Sequence, residues 1–349
     1  MLFTSGSTGR PKGVPITHGN VHHYLETIER RYRFTENDVF TQSFEITFDL
    51  AMFDLFGAWG SGATVVSAPA YVLRRFPEFA ARHGITVWFS TPSTISVLAK
   101  ARSLTPGALP SLRWSLFCGE PLRLRDAQSW QAAAPNSLVE NLYGPRELTI
   151  SCSVHRYDPD VSPGICVNGI LPIGAMHDGM QYLICDDRGS TGMDEGELCV
   201  TGPQLFPGYL DPCDDKGRFL SHGSRQWYRT GDRVRRCGTD ELAYLGRTDD
   251  QVKVRGQRVE LAEIDSGLNR CEGVVDGVTV TVEVNGETEL FAFYSGSSTR
   301  ASVEGQLGEF FPPALIPRYV EHLSELPRNS NGKISRMALR TLARDRIGR

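Results

Sequence analysis

The sequence lacks several features that would assign it to other classes of protein. Its longest apolar runs fall far short of the roughly 20 residues that cross a bilayer, so no membrane span is expected. No basic segment followed by an apolar stretch opens the chain, which argues against a signal peptide. The formal net charge of −4 argues against a general nucleic-acid binder, which would be basic.

Cysteine pairs with metal-ligand spacing are also missing. The eight cysteines are scattered and none forms a C-x-x-C pair, which is untypical of a structural zinc site. Their mostly apolar flanks predict reduced thiols in the core of a cytoplasmic protein. A chain of 349 residues with 40% hydrophobic and 22% charged residues has the composition of a globular protein with two or three domains.

The first 248 residues show two different sequence patterns. Up to about residue 160, short β-rich runs alternate with helical stretches, which predicts an α/β parallel-sheet subdomain. Over 161–248, glycine, turns and short β runs predict a small antiparallel or barrel-like subdomain. We expect helices over 18–32, 71–83 and 122–134, and strands over 63–66, 85–89, 112–118 and 138–143.

The remaining residues, 249–349, are expected to form a small α+β domain. The polar stretch 249–256 predicts a turn-like joint between domains. Beyond it, 260–269 has helical spacing, and Asn285-Gly286 between two β-rich runs predicts a hairpin. The basic tail 335–349 predicts a further helix.

A run of glycines and hydroxyl residues near the start has the chemistry of a phosphate cradle. Glycine lets backbone N–H groups approach a polyanion, hydroxyls add donors, and Lys12 adds a mobile positive charge. The spacing is not that of a Walker A loop, and a solvated linker is the alternative interpretation. The residues concerned are Thr4, Ser5, Gly6, Ser7, Thr8 and Gly9.

Two acids are embedded in the apolar run 44–56. Burying Asp49 or Asp54 is costly unless the carboxylate is paired. Either this segment is a helix whose acids face water, or Asp49 is placed to receive an ammonium group.

Later polar turns add further candidate ligands. After a predicted strand ending at Tyr143, Gly144-Pro145 predicts a tight turn that places Tyr143 and Glu147 around a cavity. A ring face can stack on a base and a carboxylate can hold Mg²⁺. Each turn alone is also typical of ordinary solvated loops, as are those containing Asp232, Arg247 and Lys333.

In their order along the chain, these motifs resemble those of the adenylate-forming enzymes, which activate carboxylates with ATP. The resemblance covers nearly all of the sequence. It implies that 1–248 corresponds to the later part of the family's large domain, so Met1 is expected to be an internal position and the chain to be N-terminally truncated. It also implies that 249–349 is the family's mobile C-terminal domain, with Asp249 as the hinge.

The resemblance implies a role for each motif. The early loop with Lys12 holds the phosphates, and Thr8 joins Glu147 and Lys333 as a catalytic residue. Glu147 binds Mg²⁺, and Lys333 contacts the substrate carboxylate and the α-phosphate. Arg146 stands where the family usually has a threonine that contacts phosphate. The remaining nucleotide-binding positions are Asn141, Tyr143 (base stacking), Gly144, Asp232 (ribose) and Arg247 (ribose or phosphate).

Phe48-Asp49 is similar to the amino-acid-activating branch, whose Asp holds the substrate α-amine. The family's specificity positions describe a shallow, mostly apolar pocket, which favours a small apolar amino acid. The pattern looks most like free-standing L-prolyl-AMP ligases of nonribosomal peptide synthesis, with D-alanine and other small amino acids next. The positions are Asp49, Leu50, Phe53, Phe89, Leu116, Cys118, Leu142, Ile150, Ser151 and Lys333.

The implied reaction is formation of aminoacyl-AMP from ATP with Mg²⁺, followed by transfer to the phosphopantetheine thiol of a separate carrier protein. Neither a nucleic acid nor a membrane is expected as a partner. Two other functions stay open: a coenzyme A ligase, against which Asp49 argues, and an inactive truncated fragment.

Overall fold

The computed structural model describes residues 1–4, 11–186, 189–247, 251–254, 257–328 and 334–347. The chain divides into two compact units, one formed by 13–248 with the first two residues and the other by 249–349 with 3–12. In the described part of the chain, no helix is long and apolar enough to cross a membrane. All eight cysteines are free thiols, and Cys213 is the exposed one.

The larger unit is built on a seven-stranded mixed sheet. Its first five strands are parallel, as the alternating pattern predicted, and the last two are antiparallel. The central strands are buried along their whole length, as expected when helices cover both faces of a sheet. In sheet order the strands are Thr64–Ser67, Val39–Gln42, Val87–Ser90, Trp114–Phe117, Leu138–Tyr143, Ser153–Arg156 and Ala175–Met176.

Local sequence signals explain where its helices begin. His18–Tyr32 starts after Thr17, whose side chain accepts a hydrogen bond from the Asn20 N–H in a capping box, as the sequence predicted for this N-cap. The helix expected over 71–83 is α-helical only from Phe76, because Pro77 suits a first turn and not a helix interior. The others are the 3₁₀ segments Ala70–Arg75, Arg146–Leu148 and Pro212–Asp215 and the α-helices Phe76–His83, Ser93–Lys100, Leu124–Ala133 and Ser162–Ile165.

One helix of this unit changes its winding midway. Residues 50–60 run without a break through α-helix Leu50–Met52, π-helix Phe53–Gly57 and α-helix Ala58–Gly60. Wider π turns are rare and are frequently found at functional sites. This helix follows Asp49 and carries Asp54.

The second half of the larger unit forms a five-stranded antiparallel sheet, as the antiparallel alternative predicted. Its core includes Leu198, Tyr228 and Leu242, which are fully buried. The strands are Gln181–Cys185, Glu195–Thr201, Phe219–His222, Arg225–Cys237 and Glu241–Arg247, and a separate pair is formed by Leu2–Thr4 and Lys12–Val14.

The smaller unit contains the predicted hairpin and helices. Its turn places Asn285 and Gly286 at φ of 52° and 85°, the left-handed pair that a type I′ turn requires. The elements are strands Val274–Val284, Glu287–Gly296 and Tyr319–His322, helices Leu261–Arg270, Arg300–Phe310 and Arg336–Ile347, and the 3₁₀ segment Pro313–Leu315.

The turn-like joint predicted over 249–256 is partly wrong. Gln251–Val254 is a strand that pairs antiparallel with Gln257–Glu260. Valines alternate with polar residues here, and Val254 and Val259 are buried, so the period-2 pattern prevailed over the polar composition. The predicted hinge, Asp249, lies outside the described residues.

Candidate functional site

A fixed loop follows the strand Leu138–Tyr143 and positions most of the candidate residues. A Cβ on Gly144 would lie 2.6 Å from the Ser151 Cα, so only glycine permits this close return of the chain. Thr149 and Ile150 have positive φ of 57° and 68°. Such a backbone has to be held in place by its surroundings.

Gln204 supplies that support, and the sequence analysis missed it. Its buried side-chain amide donates to the backbone carbonyls of Leu148, Thr149 and Ser151 at 3.0, 3.2 and 2.7 Å. In return, the Thr149 hydroxyl donates to the backbone carbonyl of Gln204 at 2.8 Å. These contacts span more than 50 positions of sequence, and no local pattern signals them.

Tyr143 and Arg247, which come from two other motifs, both contact Asp232. The Tyr143 hydroxyl donates to one carboxylate oxygen, and Arg247 Nη1 donates to the other at 2.6 Å. Burial, with the nearby Asp232 charge, raises the pKa of Tyr143 well above its usual range, so the phenol keeps the proton it donates. Each carboxylate oxygen has a further lone pair, so Asp232 can accept additional hydrogen bonds from hydroxyls.

Glu147 is fully buried beside two tyrosines. Its Oε1 accepts a hydrogen bond from the Tyr209 hydroxyl at 2.6 Å, and the Tyr209 and Tyr228 hydroxyls are 3.2 Å apart. The described residues contain no group of three or more His, Cys, Asp and Glu side chains that could hold a metal ion. A single carboxylate nevertheless suits Mg²⁺ when substrate phosphates and waters complete the octahedron, so this donor fits the ion that the resemblance implies.

Asp49 faces Arg146 rather than water. Arg146 Nε lies 3.8 Å from Asp49 Oδ1, and the two side chains are 17% and 13% exposed. The guanidinium carbon also lies 5.2 Å from the centre of the Phe48 ring. Burial raises the pKa of Asp49, and the charge of Arg146 opposes that rise. The alternative of a solvent-facing acid is therefore wrong for Asp49.

The same alternative is wrong for Asp54, which is fully buried. In the described part of the chain, no side chain donates a hydrogen bond to either carboxylate oxygen. Burial raises the pKa of Asp54 well above its usual range, which favours the protonated form of the group.

The apolar specificity positions converge in one buried cluster. Phe53 and Phe89 meet edge to face with ring centres 4.7 Å apart. The Ser151 hydroxyl is buried and donates to the Tyr24 hydroxyl at 3.4 Å. Tyr24 is a member of the same cluster that the sequence analysis did not identify. The specificity positions that belong to this cluster are Leu50, Phe53, Phe89, Leu116, Cys118, Leu142 and Ile150.

Other candidate positions lie apart or outside the described residues. Asn141 is buried, and its amide donates to the Pro172 carbonyl at 2.8 Å, a contact within the protein. Lys12 is 6% exposed in its short strand, and Thr4 lies in the strand paired with it. The side chain of Thr4 and the residues Ser5, Gly6, Ser7, Thr8, Gly9 and Lys333 are not among those described, so their roles stay predictions.

Comparison with known proteins adds independent findings. Residues 1–210 match the family model described as AMP-binding enzyme. The chain is 32% identical to an L-proline–[L-prolyl-carrier protein] ligase of Pseudomonas fluorescens, over 97% of this chain and 67% of that protein. It is 31% identical to a D-alanine–D-alanyl carrier protein ligase of Lacticaseibacillus rhamnosus, over 97% of this chain and 70% of that protein.

Solved structures show the same fold. The Vibrio cholerae adenylation domain AlmE, crystallised with glycyl-adenosine-5′-phosphate, matches with a TM-score of 0.89 and 32% identity, over 99% of this chain and 66% of that one. The crystal structure of IdnL7 matches with a TM-score of 0.69 and 48% identity, over 98% of this chain and 67% of that one. The chain thus spans about two thirds of the length of these proteins. From its matched sequence and its α/β fold, the chain belongs to the AMP-binding enzymes and is related to their AMP-forming ligases.

Proposed function

We propose that the protein activates a small apolar amino acid, with proline favoured, to an aminoacyl-AMP. The observation that carries this proposal is Asp49, a largely buried carboxylate at the start of the helix that also carries the cluster residues Leu50 and Phe53. A buried carboxylate needs a cation, and the α-ammonium of an amino acid supplies one. The specificity positions in the cluster beyond it are apolar, which favours an apolar substrate side chain.

In the reaction, an oxygen of the substrate carboxylate attacks the α-phosphorus of ATP. The bond from that phosphorus to the bridging oxygen breaks, and pyrophosphate leaves. Such displacements depend on positioning and charge neutralisation rather than on a protein nucleophile. Asp49 orients the amine, Asp232 accepts hydrogen bonds from the ribose hydroxyls, and Arg247 holds Asp232 in place. Glu147 would hold Mg²⁺, which would supply positive charge to the phosphates.

A second step follows in the proposal. The phosphopantetheine thiol of a separate carrier protein attacks the aminoacyl carbonyl carbon, and AMP leaves. Relatives named as carrier-protein ligases support this acceptor. Lys333 and Thr8 are proposed to stabilise charge in the first step, from the motif resemblance alone.

D-Alanine is the second candidate substrate. The relatives include D-alanine carrier protein ligases at 31% identity, almost equal to the 32% of the proline ligase. Both amino acids are small and apolar, so the pocket lining alone does not separate them.

Amino-acid-dependent ATP–pyrophosphate exchange tests the proposal. The panel contains the standard amino acids, D-alanine, and carboxylic acids that lack an amine, the last with coenzyme A. We expect exchange with proline or D-alanine, and weaker exchange with larger residues. Exchange only with acids that lack an amine would contradict the proposal. Silence across the whole panel would indicate an inactive chain.

A further inference from the structure

Arg146 is shared between two neighbouring residues of the amino-acid side. Its Nε lies 3.8 Å from Asp49 Oδ1, and its guanidinium carbon lies 5.2 Å from the centre of the Phe48 ring. Stacking on an aromatic face while pairing with a carboxylate is characteristic of arginine. The Arg146 guanidinium therefore lies next to Asp49, the carboxylate that the proposed function assigns to the substrate ammonium.

The contact between the two charges is loose. A separation of 3.8 Å between these atoms is beyond hydrogen-bond distance, so it neutralises charge without occupying the carboxylate lone pairs. An ammonium can approach a carboxylate to about 2.7–2.9 Å and bind it more strongly. However, two cations sharing one carboxylate repel each other, so a bound ammonium weakens the pairing between Arg146 and Asp49.

The nucleotide offers Arg146 another anion. Arg146 opens the 3₁₀ turn Arg146–Leu148, next to Glu147 and directly after Gly144-Pro145. Its planar fork of donors suits phosphate oxygens. If the α-phosphate attracts the guanidinium, Asp49 becomes available to the ammonium.

We infer that Arg146 is a specificity-determining residue that links the two substrates: it is the internal counter-ion of Asp49, and ATP phosphates draw it away so that the amino acid binds. This inference rests on the proposed function. It requires that nucleotide and amino acid each strengthen the binding of the other by the same factor, because coupling between binding sites is reciprocal.

Isothermal titration calorimetry of proline, or of the amino acid that supports exchange, tests the coupling. Kd is measured with and without α,β-methylene-ATP and Mg²⁺. For the unmodified chain we expect the nucleotide analogue to tighten amino-acid binding by roughly 5- to 50-fold, within the range usual for coupled sites. In Arg146→Met the analogue should change Kd by less than about twofold, and binding without nucleotide should be tighter than in the unmodified chain.

Two variants control the test. Arg236→Met removes an arginine with the same pair of contacts elsewhere, 5.1 Å from the Tyr182 ring and 3.9 Å from Asp194, and should keep the full coupling. Arg146→Lys keeps the positive charge and should retain part of the coupling, which separates a charge effect from misfolding. Thermal melting of each variant verifies that it is folded, independently of nucleotide binding.

Two results would overturn the inference. One is an unmodified chain whose amino-acid affinity does not respond to the analogue, and the other is Arg146→Met with unchanged coupling. Either result leaves the proposed function standing. If no amino acid binds to the unmodified chain or to any variant with or without nucleotide, the proposed function fails and the inference fails with it.

Discussion

The acids on the two sides of the candidate site are held in different ways. On the nucleotide side, Asp232 and Glu147 accept hydrogen bonds from tyrosine hydroxyls, and Asp232 also pairs with an arginine at 2.6 Å. On the amino-acid side, the charged partner of Asp49 is Arg146 at 3.8 Å, and no described side chain donates a hydrogen bond to Asp54.

This difference indicates which part of the site the protein completes by itself. Short hydrogen bonds fix the nucleotide-side acids before any ligand arrives, as preorganised sites require. The loosely paired Asp49 retains charge that a ligand can neutralise. Variants on the two sides should therefore affect different substrates.

The largest effect is expected from Asp49→Asn. Removing the charged partner of a largely buried ammonium costs about 2–5 kcal/mol, so kcat/KM for the amino acid should fall about 30-fold to several thousand-fold, without a comparable weakening of ATP binding. Pyrophosphate exchange measures both. Asp240→Asn, at an exposed turn, is the control and should be silent. An equal fall in kcat/KM for the amino acid and for ATP would contradict the assignment of Asp49 to the amino-acid side of the site.

A smaller effect is expected from Tyr143→Phe. The variant deletes a buried hydrogen bond to a carboxylate, worth about 1.5–3 kcal/mol, so KM for ATP should rise about 10- to 100-fold. KM for the amino acid should stay close to its original value. Tyr71→Phe, at a side chain that is 81% exposed, is the matched control. A rise confined to the amino-acid KM would place Tyr143 on the wrong side of the site.

Phe89→Leu should change the choice of amino acid. Removing a ring from the apolar cluster makes room for a larger substrate side chain. The ratio of kcat/KM for leucine over proline should therefore rise about tenfold, the size of effect that small volume changes in a pocket have on specificity. Phe117→Leu truncates an equally buried ring in a different core cluster and should lower stability without changing the ratio. If both variants shift the ratio alike, Phe89 does not line the pocket.

The smallest effect is expected from Asp54→Asn, in stability. Burial raises the pKa of Asp54 well above its usual range, so the native state keeps a proton that the unfolded chain releases above about pH 4. The unmodified chain therefore loses stability as pH rises from about 4 toward the native pKa, and Asn escapes that loss. The Tm advantage of the variant should grow between pH 5 and pH 8 by about 2–4 °C for each kcal/mol of linkage.

Melts of Asp240→Asn at the same two pH values provide the baseline, because that acid is exposed. A Tm difference between Asp54→Asn and the unmodified chain that stays constant with pH would mean that Asp54 does not hold a proton in the native state.

Sequence reasoning predicted the elements that local signals specify. The capped helix His18–Tyr32 and the hairpin at Asn285-Gly286 follow from residues within a few positions of each boundary. The π-helical stretch Phe53–Gly57 has no comparable local signal. The strand Gln251–Val254 was not predicted because its composition is polar.

The site divides in the same way. Motifs with a fixed order identified the residues that meet at Asp232, although 89 positions separate Tyr143 from it. The partners that hold the motifs in place, Gln204 and Tyr209, act through tertiary contacts and could not be read from their neighbours in sequence. The pairing of Arg146 with Asp49 likewise depends on the fold.

Recognition of the substrate amine is the central claim, and a pair of intermediate analogues tests it most directly. Prolyl-sulfamoyladenosine mimics the proposed intermediate, and cyclopentanecarbonyl-sulfamoyladenosine differs mainly in lacking the amine. We predict that the amine analogue binds the unmodified chain about 100-fold more tightly, and that the advantage disappears in Asp49→Asn. Equal affinity of the two analogues for the unmodified chain would contradict an amino-acid-activating function and favour a ligase for acids that lack an amine.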